Sequence, residues 1–235
     1  MWTRMELKMR AKVAFRRNYW ACVIVAFVMS IVTGAMSGSS SSGSDLEESG
    51  ITDYNDLNST IIALTVMSVV AIVAIIAFIL KILVGNALLV GGSRFFVMNQ
   101  TEDVKAGTLL YGFKCGSFGN VVLVMFLRDL FTGLWMLLFI VPGIVKSYEY
   151  LMVPYILAEN PQMNRKDAFA ISKRMMMGQK WDAFVLDLSF FGWRLLEGIT
   201  FGLAGIFYVE PYYQATIAEL YTTNRAIAYQ NGYIR

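Results

Sequence analysis

Residues 60–80 run for 21 positions without a charged side chain. A helix rises ~1.5 Å per residue and satisfies its own backbone hydrogen bonds, so a run of this length reads as one crossing of the ~30 Å hydrocarbon core of a bilayer. That stretch fixes the class first: an all-α, polytopic membrane protein. Composition agrees, since the 235 residues are 57% hydrophobic and 16% charged, against roughly 45–50% and about 25% in soluble domains.

Five further apolar segments repeat the pattern, at 19–36, 118–141, 144–158, 183–199 and 202–221. The spacing predicts about six transmembrane helices in a single integral membrane domain, 1–235. A signal peptide ending near Ala35-Met-Ser37 is the rival for the first segment, but the basic region before it is long and more spans follow. The loops alternate in charge. Residues 4–17 carry Arg4, Lys8, Arg10, Lys12, Arg16 and Arg17 against Glu6 alone, with Leu7, Ala11, Ala14 and Phe15 at helical spacing. This is a basic amphipathic helix suited to the anionic inner leaflet, and equally a plain topology signal. Residues 37–58 are Ser-rich and acidic with no Lys or Arg, the pattern of an outer loop. Residues 93–117 are mixed, with a short interfacial helix expected at 104–113. Residues 162–181 form an inner amphipathic helix, with Asn164 as N-cap, Asp167 at the third helical position, and Ala168, Ile171, Met175 and Met176 on one side. Both termini are therefore expected in the cytoplasm of a cell whose plasma membrane the chain crosses several times.

A three-fold repeat of helix hairpins is a further expectation. An amphipathic stretch runs into an apolar one at Asn18-Tyr19-Trp20, at Gly116-Ser117-Phe118 and at Gly178-Gln179-Lys180-Trp181. Tryptophan at such junctions suits the membrane interface.

Charges inside apolar segments are the candidate site. A charge at mid-membrane costs roughly 2.5–3.5 kcal/mol on insertion scales, so such residues pair or line a polar path. Arg128 and Asp129 interrupt the third segment. Lys146 and Glu149 lie three apart, on the face that Val153 and Leu157 continue, with Pro154 expected to kink that helix. Asp187 and Arg194 lie two turns apart in the fifth segment. These six residues are expected to form an intramembrane polar network, serving as a path or pocket, or as glue that fixes helix register.

Other chemistry is removed by composition. With no histidine, Ser-His and Cys-His triads and HExxH zinc sites are gone. Cys22 and Cys115 are the only cysteines, too few for a disulfide framework or a metal site. No cofactor motif is present. A net charge of +3 gives no ground for nucleic acid. Asp129 and Asp187 are the carboxylates an intramembrane acid–base enzyme would use, but no catalytic motif surrounds them.

Several motifs carry a resemblance. Asn18-Tyr-Trp20, Phe126-Leu-Arg-Asp-Leu-Phe131, Ile140-Val-Pro-Gly-Ile-Val-Lys-Ser-Tyr-Glu-Tyr150, Met152-Val-Pro-Tyr-Ile-Leu-Ala-Glu-Asn-Pro161, Phe184-Val-Leu-Asp-Leu-Ser-Phe190 and Glu210-Pro-Tyr-Tyr-Gln-Ala-Thr216 resemble a bacterial family of integral membrane proteins, the domain-of-unknown-function family nine-seven-five. Members often carry Asn where this chain has Glu210. Residues 157–184 are also similar to the membrane domain that accompanies some glycerophosphodiester phosphodiesterases, which implies a non-catalytic module. The expected function is a non-enzymatic membrane scaffold, chaperone or accessory module, with a lipid bilayer and a protein in the membrane as partners. The alternative is a small-solute transporter or channel built on the polar network.

Overall fold

The computed structural model describes residues 2–33 and 57–233, and over these it is all helix, without a strand. The expected outer loop lies outside the described residues except for its last two positions. In order the helices are α1 (Arg4–Arg17), α2 (Tyr19–Thr33), α3 (Leu57–Leu80), a π-helical turn (Lys81–Gly85), α4 (Asn86–Met98), a short 3-10 turn (Ala106–Leu110), α5 (Tyr111–Lys114) and α6 (Phe118–Leu138). They continue with α7 (Ile140–Glu149), α8 (Val153–Glu159), α9 (Arg165–Met175), α10 (Lys180–Leu188), α11 (Phe191–Ile199), a second π-helical turn (Gly205–Val209) and α12 (Glu210–Gln230).

The uncharged run does form a helix, and it goes on through the π turn into α4, giving a helix of 38 residues over Ile61–Met98. Its two halves have opposite surroundings. Every residue from 61 to 80 is exposed, whereas Ala87, Val90, Phe95 and Phe96 of α4 are buried. Ile61–Met98 and Phe118–Leu138 are long and apolar enough to cross a membrane. A third span is added if α1 and α2, which meet at 107°, count as one bent span.

The later expected spans come in shorter pieces. The fourth breaks at residues 150–152, so Lys146 and Glu149 end one helix while Val153 and Leu157 belong to the next. Pro154 occupies the first turn of α8, where its missing N–H leaves no hydrogen bond unmade. It starts a helix here and does not kink one. The fifth breaks at Ser189–Phe190, where the Ser189 hydroxyl bonds back to the carbonyl of Leu186, a competitor for the helical ladder. The closing segments of the three expected hairpins differ in form: α3 has 24 residues, the second is split into α7 of 10 and α8 of 7, and the third is carried mainly by α12 of 21.

Helix α4 is the centre of the body. It packs on α2, α8, α12 and the first half of α6. Two glycines allow the closest approaches. A Cβ at Gly91 would overlap the backbone carbonyl of Leu109, and one at Gly112 would overlap that of Ala87. The 3-10 turn and α5, where the sequence placed a short interfacial helix, therefore lie directly on α4.

The corner between α1 and α2 is tied to the end of α4 by amide hydrogen bonds. The buried Asn99 side chain donates to Ala14 O at 3.0 Å and accepts from Asn18 Nδ2 at 3.0 Å, while Asn18 Nδ2 also donates to Val104 O at 2.7 Å. Leu7, Ala11, Ala14 and Phe15 are buried, so the apolar face predicted for α1 is covered, mainly by α12.

Candidate functional site

Helix α6 ends at Leu138 and the chain reverses through Phe139 into α7, so the second half of α6 lies beside α7. Gly143 makes that closeness workable, because a Cβ there would press on the backbone of Met136. The reversal and the break after Glu149 aim the charges of α7 toward α9 and α10.

Glu149 is the most enclosed charge of this region, 4% exposed. Its Oε1 accepts from Lys146 Nζ at 3.0 Å and its Oε2 from Lys180 Nζ at 2.7 Å; Lys173 Nζ stands 3.8 Å from Oε1. The Glu149 carbonyl accepts from the buried Ser172 hydroxyl at 2.7 Å. One carboxylate thus gathers three lysines from α7, α9 and α10. The capped start of α9 sets two of these contacts. Asn164 is the N-cap, its side chain accepting from Lys166 N–H at 3.3 Å, with Asp167 in the first turn, as the sequence predicts.

Asp187 is held differently. Its Oδ2 accepts from the Tyr148 hydroxyl at 2.6 Å and its Oδ1 from the Tyr213 hydroxyl at 3.0 Å. Arg194 does not reach it. The break between α10 and α11 takes Arg194 off the face of Asp187 and sets its guanidinium 5.5 Å from the centre of the Tyr213 ring. Arg128 and Asp129, neighbours in sequence, pair with each other at 2.8 Å.

A cavity of about 490 Å³ brings part of the expected network together, because Arg128, Asp129, Tyr148, Asp187 and Tyr213 all line it. Glu149 and Lys146 stand outside that lining. Three of the six residues therefore share this cavity, Lys146 and Glu149 form a separate cluster, and Arg194 pairs with neither group's carboxylates. Chemically both carboxylates at the cavity are engaged, Asp129 by a guanidinium and Asp187 by two phenols. Among the described residues no three His, Cys, Asp or Glu side chains are placed to hold a metal ion.

Tyr148, Tyr213, Lys173 and Lys180 are the members that sequence reasoning missed. Tyr148 sits one residue before Glu149 and Tyr213 inside Glu210-Pro-Tyr-Tyr. An aromatic hydroxyl beside an apolar-segment carboxylate is the signal that would have found the tyrosines. A second ionic contact lies at the far end of α8. Glu159 pairs with Arg225 and accepts from the Tyr221 hydroxyl at 2.7 Å, joining α8 to α12.

The basic residues of α1 divide by partner. Arg10 pairs with Glu6, and Arg17 with Asp103 at 3.1 Å. Lys8 lies 4.2 Å from the centre of the Phe190 ring. Burial there, with Arg4 alongside, lowers its ammonium pKa below the ordinary lysine value. Arg4, Lys12 and Arg16 are exposed and have no ion-pair partner among the described residues. Met5, Met9 and Val13 are also exposed, at 71%, 54% and 70%. They form one stripe at i, i+4, i+8 among those cations.

Comparison with known proteins finds no curated relative and no solved structure that matches, and with them no support for the similarity to the phosphodiesterase membrane domain. One family model does match, over residues 138–227. That segment holds Lys146, Tyr148, Glu149, Lys173, Lys180, Asp187, Tyr213 and the Glu159–Arg225 pair, and over it the chain carries the pattern of the family described as protein of unknown function, DUF975.

Proposed function

We propose that the chain is a non-enzymatic integral membrane module that serves a membrane protein as scaffold, chaperone or accessory subunit. The observation that carries this is α3. Residues 61–80 are exposed all round, and all are uncharged. An apolar helix of that length belongs in a bilayer, and its bare surface is available to the transmembrane helix of another protein. The membrane is the plasma membrane of a bacterial cell, with both termini inside. The exposed Met5, Met9 and Val13 stripe with Arg4, Lys12 and Arg16 supports α1 lying on its anionic inner leaflet.

Photo-crosslinking amino acids at Val66, Val69 and Val73, activated in native membranes, test the accessory role. A discrete protein adduct is the expected result. Adducts to lipid alone at all three positions would overturn it.

The charged cavity favours a second reading, passage of a small solute. Its lining by Arg128, Asp129 and Asp187 is the specific ground. Reconstituted liposomes that move no ion or small solute would remove it.

A further inference from the structure

A second cavity, of about 590 Å³, lies between the end of α2, the π turn and α6. Its wall is mostly apolar and includes Phe78 from α3 and Leu130, Leu134 and Leu137 from α6. Four polar residues interrupt it: Lys81, Asn86, Arg128 and Asp129. Arg128 and Asp129 neutralise each other. Lys81 has no ion-pair partner among the described residues. Asn86 is 4% exposed, yet its side-chain amide makes no hydrogen bond to any described residue. The amide is not sealed in the interior but opens on the cavity, where it is free to take a partner.

The π turn ties the two groups to one place. It runs from Lys81 to Gly85 and Asn86 follows it, and the wider turn aims both toward the cavity. Such turns recur at functional sites. Lys81 also closes the uncharged run of residues 60–80. If α3 crosses the bilayer, Lys81 stands at the level of the lipid headgroups.

We propose that this cavity holds one anionic membrane phospholipid. Its phosphate is bound by the Lys81 ammonium and the Asn86 amide, and an acyl chain lies along Phe78, Leu130, Leu134 and Leu137. Two cations against one acid in the lining give the charge complementarity, and the apolar wall distinguishes a lipid from a soluble anion. Asp129 turns its carboxylate to Arg128, which leaves Lys81 as the cation free for the headgroup. The proposal rests on the membrane-module reading.

The test uses the full chain in mild detergent, equilibrated with phosphatidylglycerol or phosphatidylcholine and weighed by native mass spectrometry. One phosphatidylglycerol per chain is expected to be retained in preference to phosphatidylcholine. Lys81→Ala and Asn86→Ala should each weaken retention about tenfold, the effect of losing one charge-assisted or buried hydrogen bond. Lys114→Ala, at an exposed lysine away from the cavity, should leave it unchanged. Lys81 is exposed, so its variant keeps the fold even if the Asn86 variant does not. Equal retention of the two lipids, retention unaffected by Lys81→Ala, or a dimer mass with no bound lipid (a second copy filling the cavity) would each overturn the proposal. Alkaline extraction of the source membranes separates the two failures. A chain that stays in the pellet but shows no lipid preference loses only this site, and a chain that is released loses the membrane reading as well.

Discussion

Lys180 Nζ lies 2.7 Å from Glu149 Oε2, although 31 residues separate the two in sequence. Lys146, one turn back, takes the other oxygen at 3.0 Å. The carboxylate is therefore the point where α7, α9 and α10 are joined. Removing it would leave lysines packed together without a counter-charge. Breaking an enclosed pair in this way costs about 3 kcal/mol. Glu149→Gln should lower the thermal unfolding midpoint in detergent, and Lys180→Met in the same background should recover part of the loss. A Glu149→Gln protein as stable as wild type would show that the lysines are held by solvent and not by the carboxylate.

The two tyrosines on Asp187 make a separable prediction. Each hydroxyl donates to its own carboxylate oxygen. Tyr148→Phe and Tyr213→Phe should each destabilise by about 1.5 kcal/mol, the usual worth of a hydrogen bond to a charged group. The double variant should lose more than the sum, because only then is Asp187 left without a phenol. Chemical denaturation of the four proteins measures the coupling, and strict additivity would mean that the two hydroxyls act on Asp187 independently.

Glycine positions give a sharper contrast. Gly91→Ala and Gly112→Ala would force a methyl into the carbonyl of Leu109 or Ala87, rigid backbone in both cases. Each should destabilise by about 3 kcal/mol or more. At Gly192, inside α11, a Cβ would meet nothing within 4 Å. Gly192→Ala should be neutral or stabilising by up to about 1 kcal/mol through helix propensity alone. Yields of monodisperse protein in detergent will rank the three.

Helix α3 separates lipid from water as its surroundings. Ile72 is 56% exposed. On a water-facing surface Ile72→Arg would change stability by no more than about 0.5 kcal/mol. In a bilayer the same change opposes insertion by about 2.5–3.5 kcal/mol. The expected outcome is a reduced membrane-integrated fraction, read by protease protection of residues flanking α3. Full integration of the variant would place this surface outside the hydrocarbon.

Much of this molecule is legible along the chain. The uncharged run over residues 60–80, the cap at Asn164 and the short turn before α6 are local, and local propensity decides them. The breaks after Glu149 and after Leu188 were not legible as breaks. Both apolar segments carry periodicity straight through, and the turn at 150–152 or the back-bonding hydroxyl of Ser189 is chosen only when neighbouring helices pack there.

The candidate site divides in the same way. Lys146 and Glu149 lie three apart, so their pairing follows from helix geometry, whereas Arg128 and Asp129 are adjacent positions that a helix turns apart, and they pair only because the long arginine side chain reaches back. The pairing expected of Asp187 with Arg194 fails because it assumes one continuous helix across a break. By itself the sequence determined the all-α class and where the charges lie within apolar segments, since hydrophobic periodicity and charge-free length are properties of consecutive residues. Only the tertiary structure decided that Lys173 and Lys180 converge on Glu149, that two tyrosines hold Asp187, and that Asn86 faces a cavity. The physical reason is that an enclosed polar group takes whatever partner packing brings within hydrogen-bond reach, and that partner can lie anywhere along the chain.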